Sequence, residues 1–478
     1  MKYLIWPISL FIAEYLSINF PVYYGNRIQI YIFILFICLA LLQSKGDIPK
    51  NIVNKNILAF IGIALIIQFA SMMLSHYRID IPQYNKSPIK TFIAFCSFAA
   101  AIMVHYVVVR LNVHGTNDIK KFLTGGWIAL ILSLVVCFIQ LAYIFMPGPL
   151  DSLLRLFGST VEARWGGQVA NLSENSFYKL GSYVQTTSRI NGLTEEASNL
   201  ATQFFVIFVP FILASIKNNY NVFFKNYEKT SVLYVTLAMI VVLMLMAKTT
   251  SGFLFAAVIL LVLMKDLSQL KKLFLISSVV LATLLVLIFN FKSVYLVQTL
   301  NDFLLNKEGN SVSNRSGSMI ALLIVSLKHF IFGIGWEYHT YFIFDNLPEW
   351  AKHNSEYFSF VKKKEYPIMS VLLGWTAQFG IIIVGLVIAY VIKTQKNFRK
   401  LSNQALELKL EDAQLTKVLC DASFYYLLFT LISALFLYVW YASVYLIIYF
   451  FFISIIYVTR KNITTYVSKG YEESNGKN

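Results

Sequence analysis

Charge is scarce in this chain. Only 13% of its 478 residues are Asp, Glu, Lys or Arg, while 58% are hydrophobic. A water-soluble protein of this length carries roughly twice that charged share, so a soluble globule is excluded. Cysteine is sparse too: Cys38, Cys96, Cys137 and Cys420 all lie within or at the edge of apolar runs. None falls into a CxxC or Cys/His spacing, which argues against a zinc site and against a disulfide framework. The chain has no Walker motif, no GxGxxG, no HExxH and no DxD-type acidic cluster. An ATP-driven pump and a nucleotide-sugar glycosyltransferase with a metal-binding acidic pair both lose support, and neither a metal nor a cofactor is expected. There is no internal repeat and no low-complexity tract.

What is present is apolar sequence in long unbroken stretches, with a mean hydropathy of +0.64. Continuous runs rather than alternation indicate membrane helices and not a barrel. With about 20 residues needed per crossing, twelve spans are expected: 3–20, 28–43, 56–74, 91–109, 122–146, 199–216, 230–246, 250–264, 273–290, 368–392, 421–439 and 442–459. The first follows Lys2 without a small-residue cleavage site and reads as a retained helix. Pro210 predicts a kink or local unwinding in the sixth. The chain then divides into N-terminal spans (1–146), a first large external loop (147–198), central spans (199–290), a second large external loop (291–366), C-terminal spans (367–459) and a solvent-facing tail (460–478). Residues 319–336, "MIALLIVSLKHFIFGIGW", are apolar enough to dip into a membrane but are not counted as a span.

The net charge of +16 is spread over short inter-helix segments, which points to membrane orientation and anionic lipid rather than to nucleic acid. Residues 393–420 alone hold six lysines and arginines, whereas the short connections of the opposite side hold only Arg27, Arg78, Lys86, Lys90 and Lys248. That asymmetry puts both termini inside.

Four polar clusters fall on the outer side of this topology. The first is Arg164, Arg189, Glu195 and Glu196, with Ser198 and Asn199 opening the sixth span. The charges there are either interfacial anchors and a local ion pair or functional groups, and the glutamates also suit the first turn of a helix. The second is "KTTSG", Lys248 to Gly252, either a capped tight turn or an ammonium held at membrane level for a phosphate. The third is "NRSGS", Asn314 to Ser318, where Arg315 is either a solvated charge or a phosphate fork. In the fourth, Gly333 and Gly335 read as a flexible turn among aromatics suited to stacking on sugars. His353 there is a candidate base, in competition with His329 and His339.

These residues resemble the polytopic O-antigen polymerases and the related O-antigen ligases. Arg189-x-x-Gly192-Leu193-x-x-Glu196-x-Ser198 is similar to the family's R-x-x-G-L-x-x-E-P-S run before a span, with Ala197 in place of proline. "KTTSG" is similar to its short S-R turn, Ser251 matching the serine. Arg315, an apolar helix and "HFIFGIGW" resemble its arginine, helix and P-L-F-G-x-G sequence, and "SVLLGWTAQFGIIIVGL" from Ser370 resembles the segment leading to its G-x-x-G. The ligases' His-Asn pair stands near Met369 and Ser370, whereas here His353–Asn354 lies well upstream, which favours polymerase over ligase.

The resemblance covers roughly residues 185–392. It implies an all-α integral membrane protein of about twelve transmembrane helices with two large periplasmic loops and a membrane-glycosyltransferase (GT-C-like) architecture in the bacterial inner membrane. It further implies transfer of a growing glycan from undecaprenyl pyrophosphate to a new lipid-linked repeat unit at the periplasmic face, without metal or nucleotide. In that reaction Arg189, Arg315, Arg164 and Lys248 hold pyrophosphate, and Glu196, Glu195 or His353 acts as base. The implied partners are undecaprenyl-pyrophosphate-linked oligosaccharides, membrane lipids and a chain-length-regulating polysaccharide co-polymerase, with no nucleic acid. A ligase acting on lipid A-core and a lipid-linked oligosaccharide transporter are the alternatives.

Overall fold

A computed structural model describes residues 2–13, 15, 29–43, 55–162, 178–224, 230–266, 310–436 and 442–475. The chain is helical, and no strand occurs among the described residues. In chain order the helices are α1 (Ile5–Pro7, continuing as a π turn over Ile8–Ile12), α2 (Gln29–Gln43), α3 (Lys55–Arg78), α4 (Pro88–Asn112) and α5 (Thr116–Phe145). Then come α6 (Pro147–Thr160), α7 (Tyr183–Thr187), α8 (Ala197–Gln203), α9 (Val209–Lys217), α10 (Ser231–Met246) and α11 (Thr250–Asp266). The remainder are α12 (Asn310–Lys328), α13 (His339–Asn346), α14 (Ser355–Lys363), α15 (Val371–Glu407), α16 (Ala413–Ala434) and α17 (Ser443–Asn475).

Among the described residues seven helices are long and apolar enough to cross a membrane: Ile57–Arg78, Pro82–Asn112, Thr116–Phe145, Ala197–Lys217, Val371–Glu407, Ala413–Ala434 and Ser443–Ser468. Three shorter apolar helices, Ile30–Gln43, Ser231–Met246 and Thr250–Lys265, coincide with three further expected spans. The chain is therefore a multi-pass helical membrane protein. The expected span at 273–290 lies outside the described residues, and of the span at 3–20 only the first part is described. The distortion expected near Pro210 takes the form of a π turn, Phe204–Phe208, just before it, and the helix runs on through it from α8 into α9.

Both expected external loops contain helices. The first begins with α6 and includes α7; the second contains α12, α13 and α14. These helices are short or carry one polar face, so no window of them has the length and apolarity of a span; α12 and α13 pack on the second unit's core through Leu322, Val325, Phe342 and Ile343.

Two compact units form. One comprises Met1–Asn19, Gly115–Lys307 and Ala405–Phe429; the other comprises Phe20–His114, Glu308–Gln404 and Thr430–Asn478. In the first, α8–α9 is the central element, with 94% of its most apolar window buried. Trp6 is fully buried with its ring 5.1–5.9 Å from Phe122, Phe208 and Phe211, and Phe205 stacks on Phe255 and on Phe429 at 4.2 Å. Ion pairs Lys2–Asp118, Lys120–Asp412 (3.5 Å) and Lys217–Asp421 (3.3 Å) tie the N-terminal end of α5 and the C-terminal end of α9 to their neighbours.

In the second unit α4 packs against α2, α3 and α17. His105 of α4 bonds Ala101 O at 2.6 Å and Ser443 Oγ at 2.9 Å. Its core contains Met72, Phe95, Phe98, Leu322, Tyr338 and Tyr366. Here α15 is broken: Gly380 takes φ +72°, ψ 167° inside an otherwise helical run. Residues 330–336 lie alongside the break as a series of turns. Ile334 N donates to Ala377 O (2.9 Å), Gly335 N to Gln378 O (3.0 Å) and Ile381 N to Phe330 O (2.8 Å). Polar side chains complete the join: Trp336 N donates to Gln68 Oε1 (3.0 Å), Ser75 Oγ to Ile334 O (2.5 Å), and Glu337 N to Gln378 Oε1 (2.8 Å). Gly333 and Gly335 are therefore not a flexible turn. Their positive φ and the backbone of Gln378 and Met72 against them leave no room for a Cβ.

Candidate functional site

The segment 189–200 approaches α8 through a buried polar scaffold. Gln140, near the end of α5, is fully buried; its Oε1 accepts from Asn191 N (3.1 Å) and Gly192 N (2.7 Å), and its Nε2 donates to Asn191 Oδ1 (2.9 Å). Gly192 adopts φ +58°, with Leu200 and the Cys137 thiol where a Cβ would stand, so the Asn-Gly turn admits no larger residue without displacement. Asn191 Nδ2 also donates to Glu162 Oε1 (3.1 Å), and Tyr183 N donates to Glu162 Oε2 (2.9 Å). Tyr178 Oη donates to Glu195 O (2.7 Å), and Thr194 Oγ1 donates to Glu196 O (2.8 Å). Every turn of the motif is thus held by a side chain from outside it or by its own threonine.

Glu162 is fully buried. Burial raises its carboxyl and the two N–H donors lower it; burial prevails, and the value stands at about 7. The sequence reading missed this residue, because nothing in its local pattern marks it as buried. Gln140 did carry a signal, being a polar residue inside a long apolar helix.

Arg189 is half-buried, and its Nε donates to Ala247 O at 3.1 Å. That bond sets its guanidinium against the turn between α10 and α11. Lys248, the next residue, takes φ +50° and is 5% exposed. Burial first, and the Arg189 charge second, lower its ammonium from 10.5 to about 8. Thr249 caps α11, its Oγ1 accepting from Gly252 N at 2.9 Å. The structure therefore brings Arg189 and Lys248 together, although 59 positions separate them in the chain. Glu196 occupies the N-cap position of α8 with its carboxylate accepting from Ser198 Oγ (3.3 Å), and Glu195 is exposed just before it. Both precede the helix, not in its first turn as the sequence reading allowed. Arg164 lies outside the described residues.

Arg315 and His353 belong to the other unit. Arg315 is exposed on α12, and His353 is exposed just before α14. Their sequence neighbours pair directly: Asn314 Nδ2 donates to Asn354 Oδ1 (2.8 Å), and Asn354 Nδ2 donates to Asn314 Oδ1 (3.2 Å). Asn354 Oδ1 also caps α14 by accepting from Tyr357 N (2.8 Å). Arg315 and His353 thus flank one buried asparagine pair. The competing histidines are poorer bases. His339 is buried and lowered to about 4, chiefly by desolvation, and His329 Nδ1 accepts from Arg78 Nη1 at 3.0 Å. Of the aromatics assigned to sugar stacking, Trp336 is packed against Phe95 and Phe98 and Tyr338 is buried, whereas Trp350 is exposed.

One unit thus carries a cation pair, with two carboxylates at the entry to a spanning helix, and the other carries an arginine and a histidine flanking an asparagine clasp. Among the described residues no group of three or more His, Cys, Asp or Glu is placed to hold a metal ion. No protein-family profile matches the chain, and no curated protein matches it.

Proposed function

We propose that this protein is an O-antigen polymerase: a membrane glycosyltransferase of about twelve spans and GT-C-like architecture in the bacterial inner membrane. It transfers a growing glycan from undecaprenyl pyrophosphate to a new lipid-linked repeat unit at the periplasmic face. The observation that carries this reading is the Arg189–Lys248 pair, two cations brought together in the unit whose spanning helix α8 has Glu196 as its N-cap. Two neighbouring cations attract an anionic ligand more strongly than either does alone. Pyrophosphate on a lipid carrier is such a ligand, since its charge sits at membrane level and its lipid stays in the bilayer.

In the proposed reaction the bond between the sugar's anomeric carbon and the pyrophosphate oxygen breaks as the acceptor hydroxyl attacks. The hydroxyl proton passes to Glu196 or Glu195, and undecaprenyl pyrophosphate departs with its charge held by Arg189 and Lys248. Arg315 and His353 are assigned to the same activity, Arg315 through phosphate and His353 as the second candidate base. Glu162, fully enclosed, keeps the motif in place and does not meet substrate. A chain-length-regulating co-polymerase is the proposed protein partner.

A transporter of lipid-linked oligosaccharide has one observation in its favour, the broken helix α15, since transporters bind cargo at such breaks. Here the break is filled by the chain's own residues 330–336, which satisfy its backbone groups. A deletion strain decides between polymerase and ligase. Loss of a polymerase leaves lipid A-core bearing one repeat unit and no ladder. Loss of a ligase leaves no repeat attached and polymer accumulating on undecaprenyl pyrophosphate. A normal ladder refutes both.

A further inference from the structure

Helix α14 has two unlike faces. Tyr357 and Phe360 turn inward, packing on the second unit's core at ring distances of 5.9 Å to Phe344 and 4.8 Å to Tyr366. Glu356 is engaged on the same side, accepting from Asn314 Nδ2 at 2.9 Å. Phe358, Val361 and Lys362, related by i, i+3 and i+4, face away, with Phe358 61% exposed. Lys363 and Lys364 follow, both exposed, and Glu365 is the one carboxylate beside them. Trp350, 51% exposed, stands in the 3-10 turn that precedes the helix.

The position of this face is constrained. Only Lys364–Ser370 separate α14 from α15, a helix long and apolar enough to span a membrane. That connector reaches at most about 25 Å even if fully extended. It is also pinned: Tyr366 is fully buried with its Oη on Asn314 Oδ1 (3.3 Å), and Ser370 Oγ donates to Ala434 O (3.2 Å). An exposed aromatic face with a run of lysines, tethered to the start of a spanning helix, has the composition of an interfacial helix. Rings and methylene stems enter the boundary region and ammonium groups meet lipid phosphate.

We propose that α14 docks the second unit onto the bilayer surface by binding anionic phospholipid headgroups through Lys362, Lys363 and Lys364, with Phe358 and Val361 inserted at the boundary. The occupant is the membrane itself, on grounds of charge complementarity and tether length, and the proposal is independent of the polymerase reading. The inward anchors also make α14 a rigid link from the headgroups to the Asn314–Asn354 clasp beside Arg315 and His353.

The test uses the full-length protein carrying Cys38→Ala and Cys96→Ala, with a nitroxide at Phe358→Cys or, separately, at Val361→Cys. It is reconstituted into vesicles of phosphatidylcholine alone or of phosphatidylcholine with phosphatidylglycerol at 3:1. Collision with oxygen, which concentrates in lipid, is compared with collision with a water-soluble nickel chelate. The expected result is oxygen access and nickel shielding at both positions in the anionic vesicles, with nickel access rising severalfold in the neutral ones. Changing Lys362, Lys363 and Lys364 to Gln should weaken headgroup binding roughly fivefold per charge and restore nickel access. Nickel access in both vesicle types overturns the proposal. So does immersion indifferent to phosphatidylglycerol and to the lysines, and so does shielding from both reagents, which marks a protein contact instead. A labelled protein that is not monodisperse after reconstitution is replaced by the one labelled at the other position.

Discussion

Lys248 supplies the sharpest test of the candidate site, because its titration depends on a neighbour that only the fold provides. Burial and the Arg189 charge lower its ammonium from 10.5 to about 8. At pH 7 about nine in ten molecules carry the charge, and at pH 9 about one in ten. Competitive labelling of the full-length protein with an amine-reactive reagent, read peptide by peptide across pH, should give an inflection at about 8 for Lys248. Arg189→Met removes the like charge, so the inflection should rise; it should stay below the ordinary lysine value, because burial is the larger cause. Arg189→Lys keeps the charge and should leave it nearly unmoved. Since the folded value is depressed, the charged form costs stability: Lys248's contribution is most favourable above about pH 10.5, falls as pH drops from about 10.5 to about 8, and levels off below. The whole effect is at most about 3 kcal/mol, less where solvent screens the turn. If Lys248 grips pyrophosphate, polymerisation should decline above about pH 8, and Lys248→Arg should extend activity to higher pH. An inflection at 10.5 in the wild-type protein would refute the coupling.

The same logic extends to the other residues. Arg189→Lys and Arg315→Lys should each reduce polymerisation by thirty- to a thousandfold, about 2–4 kcal/mol, at unchanged protein abundance, because an ammonium cannot reproduce a two-pronged phosphate contact. Full-length glycan ladders from both variants would remove the phosphate role. Glu162 is raised from 4.5 to about 7, so charging it opposes folding. Thermal stability should fall by about 3 kcal/mol as pH rises from about 4.5 to about 7 and level off above, and Glu162→Gln should lose that slope; equal slopes in both proteins count against the buried carboxyl. Gly380→Ala meets the backbone of Ile331 and Phe332 at a positive φ and should cost at least about 1–3 kcal/mol, whereas Gly385→Ala, with nothing within 4 Å, should be near neutral; thermal melting in detergent compares them.

How much of this was readable beforehand differs by element. The helices at Lys55–Arg78, Pro88–Asn112 and Thr116–Phe145 follow runs plain in the sequence, because crossing a bilayer demands a local property, about 20 apolar residues in succession. The charges at the entry to α8 were also visible, as were Lys248, Arg315 and His353, because charge is rare enough here to stand out. The amphipathic helices α6 and α14 were not, since neither has a long apolar run of its own, and of α12 only the apolar part from Met319 stood out. Gly333 and Gly335 read as flexible because glycine permits freedom; the partner that removes it, Gln378, lies more than forty residues away. Glu162 passed unnoticed for the same reason, since its burial and both of its donors come from later in the chain. The amino-acid order by itself determined the solvent this protein lives in, its helical class and the inventory of charges. Tertiary structure alone decided which charges meet: Arg189 perturbs Lys248 only because helix packing closes the distance between them, and electrostatic coupling depends on distance in space, not along the chain.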